Sequence, residues 1–286
     1  MTYHSGRYGA INGLTMLRNW NVNDLAQPHV IVGSQTRGAT ARLGGVRDWN
    51  GSASFWGAAP DAAHWPGSFF NFVGYGAPAS DIYGTAGYTL EGSAYVESIA
   101  LTINWETGAP LAYTMNFSGN GELSEESDTV QDLSEETPEP ASGASIVYDN
   151  ETDEVGSESE SGSAGHFSET ELCAASCTLT VTRPGIPYAN SCTDGWVYRK
   201  AGILDWTLSV VTPENERDVL GLTPNDVIWL RINTSASAYY ELKWSRFLDF
   251  SGITVNPESG EIIQQTLNFG MHMVHEGMYG TFEYVD

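Results

Sequence analysis

The chain repeats itself, and the repeated stretches have the pattern of strands. Residues 101–117 (LTINWETGAPLAYTMNF) align without a gap with residues 253–269 (ITVNPESGEIIQQTLNF). Thr102/Thr254, Asn104/Asn256, Glu106/Glu258, Gly108/Gly260, Thr114/Thr266, Asn116/Asn268 and Phe117/Phe269 are identical pairs. Leu101/Ile253, Ile103/Val255, Thr107/Ser259 and Met115/Leu267 are near equivalents. A second match lies upstream in the same order: Arg42, Gly45, Asp48, Trp49 and Ser52 of RLGGVRDWNGS correspond to Arg199, Gly202, Asp205, Trp206 and Ser209 of RKAGILDWTLS. Two ordered matches at so long a period describe a duplicated domain rather than a solenoid of short units. With 286 residues, each copy is long enough to bury its own core. The expected layout is a first copy over residues 1–121, an insertion or linker over 122–171 and a second copy over 172–286.

Charge sets the middle segment apart. Residues 122–171 carry no Lys or Arg and account for minus 16 of the net minus 24. The segment is rich in Ser, Glu and Gly and poor in aromatics, so it cannot bury enough apolar surface to offset its ordering entropy, and an exposed, flexible insertion is expected. Within it, Ile146, Val147, Tyr148 and Val155 interrupt the polar run and are compatible with a short hairpin around 149–154. A chain this acidic has no basic stripe to displace counterions from phosphates, which excludes stable nucleic-acid binding, and it is not suited to an anionic membrane surface. No apolar leader precedes residue 10 and no run of about 18 apolar residues could span a bilayer. An acidic surface also stays soluble in concentrated salt, where the Debye length falls to about 3 Å; a halophilic source and one dominant acidic insert both account for the composition.

Alternation dominates the rest. Ile99, Leu101 and Ile103, then Leu111, Tyr113, Met115 and Phe117, fall on every second position, the signature of half-buried strands. Gly108 in the turn between them is free to take positive φ. Further strands are expected at 14–23, 46–56, 89–97, 178–183, 203–211, 227–233 and 238–244, and short helices at 61–72 and 213–221. The fold class is mainly β: two tandem sandwich or partly closed barrel domains with few short helices.

Candidate chemical sites are weak. Asp149, Glu151 and Asp153, with Glu160 further on, place hard oxygen ligands at alternate positions as a calcium loop does, but Glu154 stands where the sharp turn needs Gly and no helices flank the run. A solvated acidic loop explains it as well. Cys173, Cys177 and Cys192 with His166 have the atoms of a zinc site without its spacing. Cys177 and Cys192 bracket a hairpin around Pro184-Gly185, which leaves free thiols, a disulfide and zinc as readings. His272, His275 and Glu276 have the wrong order for a metalloprotease helix, and no nucleophile elbow, Walker loop or dinucleotide fingerprint occurs. Asn50, Asn116, Asn150 and Asn233 open N-x-Ser/Thr triplets. No enzyme and no cofactor is expected.

The outward face of the repeated hairpin is more informative. If Leu101, Ile103, Met115 and Phe117 point inward, then Thr102, Asn104, Thr114 and Asn116 point outward, and all four recur as Thr254, Asn256, Thr266 and Asn268. Core positions tolerate volume-conserving swaps, whereas a preserved outward face implies that both copies meet similar surroundings. Cross-strand Thr/Asn pairing is the alternative.

The N-terminal strand ending in Trp (LTMLRNWNV), the GGVRDWNGSASFWG strand and the late ITxNxETG strand and turn resemble the tail tube proteins, or major tail proteins, of long-tailed viruses. The resemblance covers nearly all of 1–121 and, more loosely, 178–286. It implies a small β-sandwich with a flanking helix, whose inner sheet joins those of its ring neighbours into a β-lined tube. Single-domain members form stacked hexameric rings, so two domains per chain imply a trimeric, pseudo-sixfold ring. The implied partners are further copies of the chain, other tail proteins such as tape measure, terminator and baseplate, and double-stranded DNA in transit. The implied location is the virion tail, after synthesis in the host cytoplasm. Two other readings are a carbohydrate-binding β-sandwich module, whose aromatics would act as stacking platforms, and another ring-forming tail component.

Overall fold

A computed structural model describes residues 9–11, 14, 16–26, 29–31, 40–57, 60, 62–76, 88–126, 140–149, 170–213, 221–235, 237–251, 264–271 and 282–285. The fold is mainly β. In chain order the strands are β1 (Gly9–Ile11), β2 (Leu17–Ala26), β3 (His29–Ile31), β4 (Ala41–Leu43), β5 (Arg47–Trp56), β6 (Phe69–Gly76), β7 (Tyr88–Asn104), β8 (Ala112–Glu126) and β9 (Ser145–Asp149). There follow β10 (Thr170–Glu171), β11 (Ser176–Thr182), β12 (Gly185–Tyr188), β13 (Tyr198–Ala201), β14 (Asp205–Pro213), β15 (Val227–Asn233), β16 (Tyr239–Ser251), β17 (Gln264–Met271) and β18 (Phe282–Val285). Single turns of 3-10 helix occur at Ala62–His64 and Ala141–Gly143.

The chain groups into two compact units. One comprises Met1–Ala100, Tyr113–Thr137 and Val181–Leu204; the other comprises Leu101–Ala112, Pro138–Thr180 and Asp205–Asp286. Neither unit is one sequence repeat alone. The β12–β13 hairpin of the second repeat belongs to the first unit, and the turn after β7 in the first repeat belongs to the second.

In the first unit the strands pair in the order β1-β6-β7-β8-β5-β2, and β3 pairs with β4. In the second unit the order is β9-β15-β16-β17-β14-β11, with β10 and β18 added on β9 and β16. Strand for strand these are the same ladder, and β12 pairs with β13 as β3 does with β4. Register agrees too. Phe69 and Phe70 oppose Tyr95 and Ala94, while Val227 and Ile228 oppose Arg246 and Ser245. The duplication therefore extends well beyond the two matched motifs, into segments such as β6 and β15 whose side chains have diverged.

The alternation produces the core. In β5, Trp49, Gly51, Ala53 and Phe55 face inward and the residues between them face out. Trp49 lies 5.4 Å from Phe72 by ring centroids, and Phe72 lies 5.2 Å from Phe117. Gly51 is required at its place, because a Cβ there would come within 2.6 Å of the Phe117 ring. In the second unit, Trp206, Leu208 and Val210 of β14 face inward, and Phe247 and Phe269 pack at 5.4 Å. The turn between β7 and β8 is as expected, with Gly108 at φ 61.

Some expectations require correction. The helix expected over 61–72 is one 3-10 turn followed by the start of β6, because Phe70 and Phe72 alternate into the core with β periodicity. Pro213 ends β14 rather than opening a helix, and 214–220 lie outside the described residues. The acidic segment is structured at its ends: β8 runs to Glu126, and Ser145–Asp149 forms a strand on β15 with Ile146 and Tyr148 buried. Val155 and the hairpin expected around 149–154 lie outside the described residues; β9 instead pairs with β10, Tyr148 opposite Thr170.

Candidate functional site

The repeated Arg-Gly-Asp-Trp motif forms a seat. Asp48 opens β5, and its Oδ1 accepts the Trp49 N–H at 2.8 Å; Asp205 does the same for the Trp206 N–H at 2.8 Å. The local task of the aspartate, fixing the backbone where the strand starts, is thus identical in both repeats. In the first repeat it has a second task. Arg199 of β13 donates through Nη1 to Asp48 Oδ1 at 2.8 Å and through Nη2 to Oδ2 at 2.7 Å. Such a planar two-point pair is the strong form of an ion pair. Its side chains are 8% and 17% exposed. Arg199 also donates to the Gly119 carbonyl, its Nε lies 3.7 Å from Glu97 Oε1, and its backbone N–H donates to Asn120 Oδ1 at 2.8 Å.

The segment leading into β13 is held along its length. Arg47 N–H donates to the Gly195 carbonyl at 2.7 Å and Val197 N–H to the Arg47 carbonyl at 3.0 Å. The Arg47 guanidinium lies 4.1 Å above the ring of Trp196, which is buried. Gly121, at φ 104, donates its N–H to the Val197 carbonyl at 2.9 Å and offers its own carbonyl to Trp49 Nε1 at 3.0 Å. A buried indole of the first repeat is therefore satisfied by a residue that the seated segment holds in place.

The counterpart in the second repeat differs. Asp205 is exposed. Trp206 is as buried as Trp49, yet its Nε1 is buried without a hydrogen-bond partner. Leu248, 45% exposed, lies beside Gly270, where a Cβ would come 3.1 Å from its Cδ1. Sequence reading identified the four paired motif positions Arg42/Arg199, Gly45/Gly202, Asp48/Asp205 and Trp49/Trp206, but not that Arg199 grips the aspartate of the other repeat. The signal was present in the recurrence of both the arginine and the aspartate.

The outward faces are neutral and polar. Thr102, Thr114 and Asn116 are exposed, while Leu101, Ile103, Met115 and Phe117 are buried. Asn116 Nδ2 donates to Ser98 Oγ at 2.9 Å, Asn21 Nδ2 to Ser52 Oγ at 2.9 Å and Asn23 Nδ2 to Asn50 Oδ1 at 3.1 Å. In the second unit Ser209 Oγ donates to Asn268 Oδ1 at 2.8 Å, and Asn268 Nδ2 donates to Asp249 Oδ1 at 2.6 Å. These are cross-strand ladders of uncharged side chains with few carboxylates among them. Asn104 has a local role, its Oδ1 accepting the Thr107 N–H at 2.9 Å to shape the turn. Thr266 is half-buried on β17, and Thr254 and Asn256 lie outside the described residues.

The weaker candidates gain no support. Asp149 ends β9 with its side chain outside the description, and Glu151, Asp153, Glu160, His166, His272, His275 and Glu276 lie outside the described residues. Among the described residues no three His, Cys, Asp or Glu side chains gather as a metal site. All three cysteines are free; Cys173 and Cys192 are exposed, and burial pushes the Cys177 thiol up to about 12, opposed by a backbone hydrogen bond at Ile103. Asn50, Asn116 and Asn233 lie on strands with their amides engaged, Asn233 donating to Ser145 Oγ at 2.9 Å. Among the described residues no helix is long and apolar enough to cross a membrane. No protein-family model and no curated protein matches the chain.

Proposed function

We propose that the chain is a structural protein of a viral tail tube, assembling as rings in which each chain supplies two positions. The observation that carries this reading is a repeat-to-repeat edge pairing. Strand β11 opens the second repeat, and besides β14 its strand neighbour is β7 of the first repeat. Flanking bonds run the same way, Trp105 N–H to the Ala175 carbonyl at 3.0 Å and Arg183 N–H to the Glu97 carbonyl at 2.8 Å. One repeat therefore already extends the sheet of the other. Its counterpart β2 has only β5 as strand neighbour among the described residues and presents a ten-residue edge. An edge of that length is a template for pairing with another chain. Repeating the β11-to-β7 join with β2 and the second repeat of a neighbouring chain generates a ring, and three chains give six repeats.

The neutral outward ladders support a conduit role, since Ser, Thr and Asn offer no cation to hold passing phosphates. On this reading the action is physical, the partners are copies of the chain and the tail proteins at either end of the tube, and DNA is present only in transit. The site of action is the virion tail. Electron microscopy of the purified protein, with averages viewed down the ring axis, tests the reading. Stacked rings of three two-domain chains are expected. Six chains per ring would overturn the trimer, and dispersed monomers retained on glycan resin would favour the carbohydrate-binding alternative.

A further inference from the structure

The seat filled at Asp48 has an unfilled twin at Asp205. We infer that the Asp205–Trp206 face receives the Arg42 hairpin of a second copy of this chain, an inference that rests on the ring reading and specifies its contact. Four observations carry it. The β3–β4 hairpin corresponds to the β12–β13 hairpin in order and pairing, and Arg42 holds in sequence the place of Arg199. Asp205 holds the place of Asp48 and makes the same bond to the following tryptophan N–H. With a single chain present Asp205 is exposed, and Ile203, two residues before it, is 86% exposed. Finally, Trp206 Nε1 is buried without a partner, whereas Trp49 Nε1 has the Gly121 carbonyl, which the seated segment positions through Val197.

A buried donor left unpaired costs the desolvation of that group, and the first repeat demonstrates how seating a hairpin segment removes the cost. The contact is heterologous: the second repeat's hairpin sits on the first repeat within a chain, and the first repeat's hairpin sits on the second repeat of the next chain. Head-to-tail contacts of this kind close into rings when the rotation permits. The occupant is chosen by chemistry, an arginine fork for a carboxylate flanked by exposed apolar side chains at Ile203 and Leu248.

The test is a charge swap read by sedimentation velocity and negative-stain imaging of the full chain. Asp205→Arg and Arg42→Asp should each raise the concentration needed for ring formation by about tenfold or more, as loss of an interfacial charge pair does. The double variant Arg42→Asp/Asp205→Arg should restore assembly. Wild-type assembly by Arg42→Asp alone, or a double variant no better than the single ones, would overturn the inference while the ring reading stood. A wild-type chain that stays monomeric at every salt and protein concentration would overturn both. If Asp205→Arg melts below the wild-type monomer, Arg42→Asp, whose position does not cap Trp206, still decides between these outcomes.

Discussion

Arg199 and Asp48, 151 positions apart, form a two-point ion pair at 2.7 and 2.8 Å that joins the second sequence repeat to the first. Arg199→Ala should lower unfolding free energy by about 3 kcal/mol, because it leaves Asp48 partly buried and without its fork. Arg199→Lys should recover only part of the loss, since an ammonium cannot make the planar pair. Urea unfolding of the two variants checks both statements.

The two motif tryptophans should respond unequally to loss of their indole nitrogen. Trp49→Phe removes volume and also the hydrogen bond to the Gly121 carbonyl. Trp206→Phe removes similar volume but relieves an unpartnered buried donor. Trp49→Phe should therefore cost about 1 kcal/mol more than Trp206→Phe in denaturant unfolding. Equal costs would show that the Gly121 bond contributes nothing.

Gly119 lies directly against Trp49, and a Cβ there would come 2.2 Å from the indole Nε1. Gly119→Ala should destabilise by about 1–3 kcal/mol, the usual result of overpacking. Gly143→Ala, where nothing lies within 4 Å of the added carbon, is the matched control and should leave the thermal midpoint nearly unchanged.

Alkaline pH should weaken the fold through Cys177. Its thiol is raised from 9.0 to about 12, with desolvation the main cause, so the folded state favours the protonated form. Burial raises the Tyr95 phenol in the same direction, opposed by a backbone hydrogen bond at Gly202. Stability from both groups is fully present below their unfolded-state values and is lost as pH climbs from about 9 towards 12. Cys177→Ala should flatten the part of the pH–stability curve due to the thiol. In the native protein at neutral pH, a thiol reagent should label Cys173 and Cys192 and reach Cys177 only after denaturation.

Most of the strands were legible because one face of each is buried. Alternation located β5, β7, β11, β14, β15 and β16 to within a few residues at most boundaries, since a period of two can be read from a single strand. The expected helix at 61–72 was not legible, because Phe70 and Phe72 lie at a spacing compatible with either structure over so short a window. Strand β9 was obscured by composition: Ile146 and Tyr148 sit in an acidic stretch whose average conceals a short pattern. Asn104 read as part of an outward face, but its hydrogen bond to Thr107 depends on the turn that follows.

The sequence by itself determined that the chain is duplicated, mainly β, and built on alternating strands whose inward positions are apolar and outward positions neutral, because those features depend only on local period and on identity between distant segments. Tertiary structure alone decided which repeat each segment serves. The choice of Asp48 rather than Asp205 as the partner of Arg199, and of β7 as a neighbour of β11, depends on where the backbone brings donors and acceptors together. Two copies of one motif present chemically identical partners, so only three-dimensional placement distinguishes the seat that is filled from the one that is not.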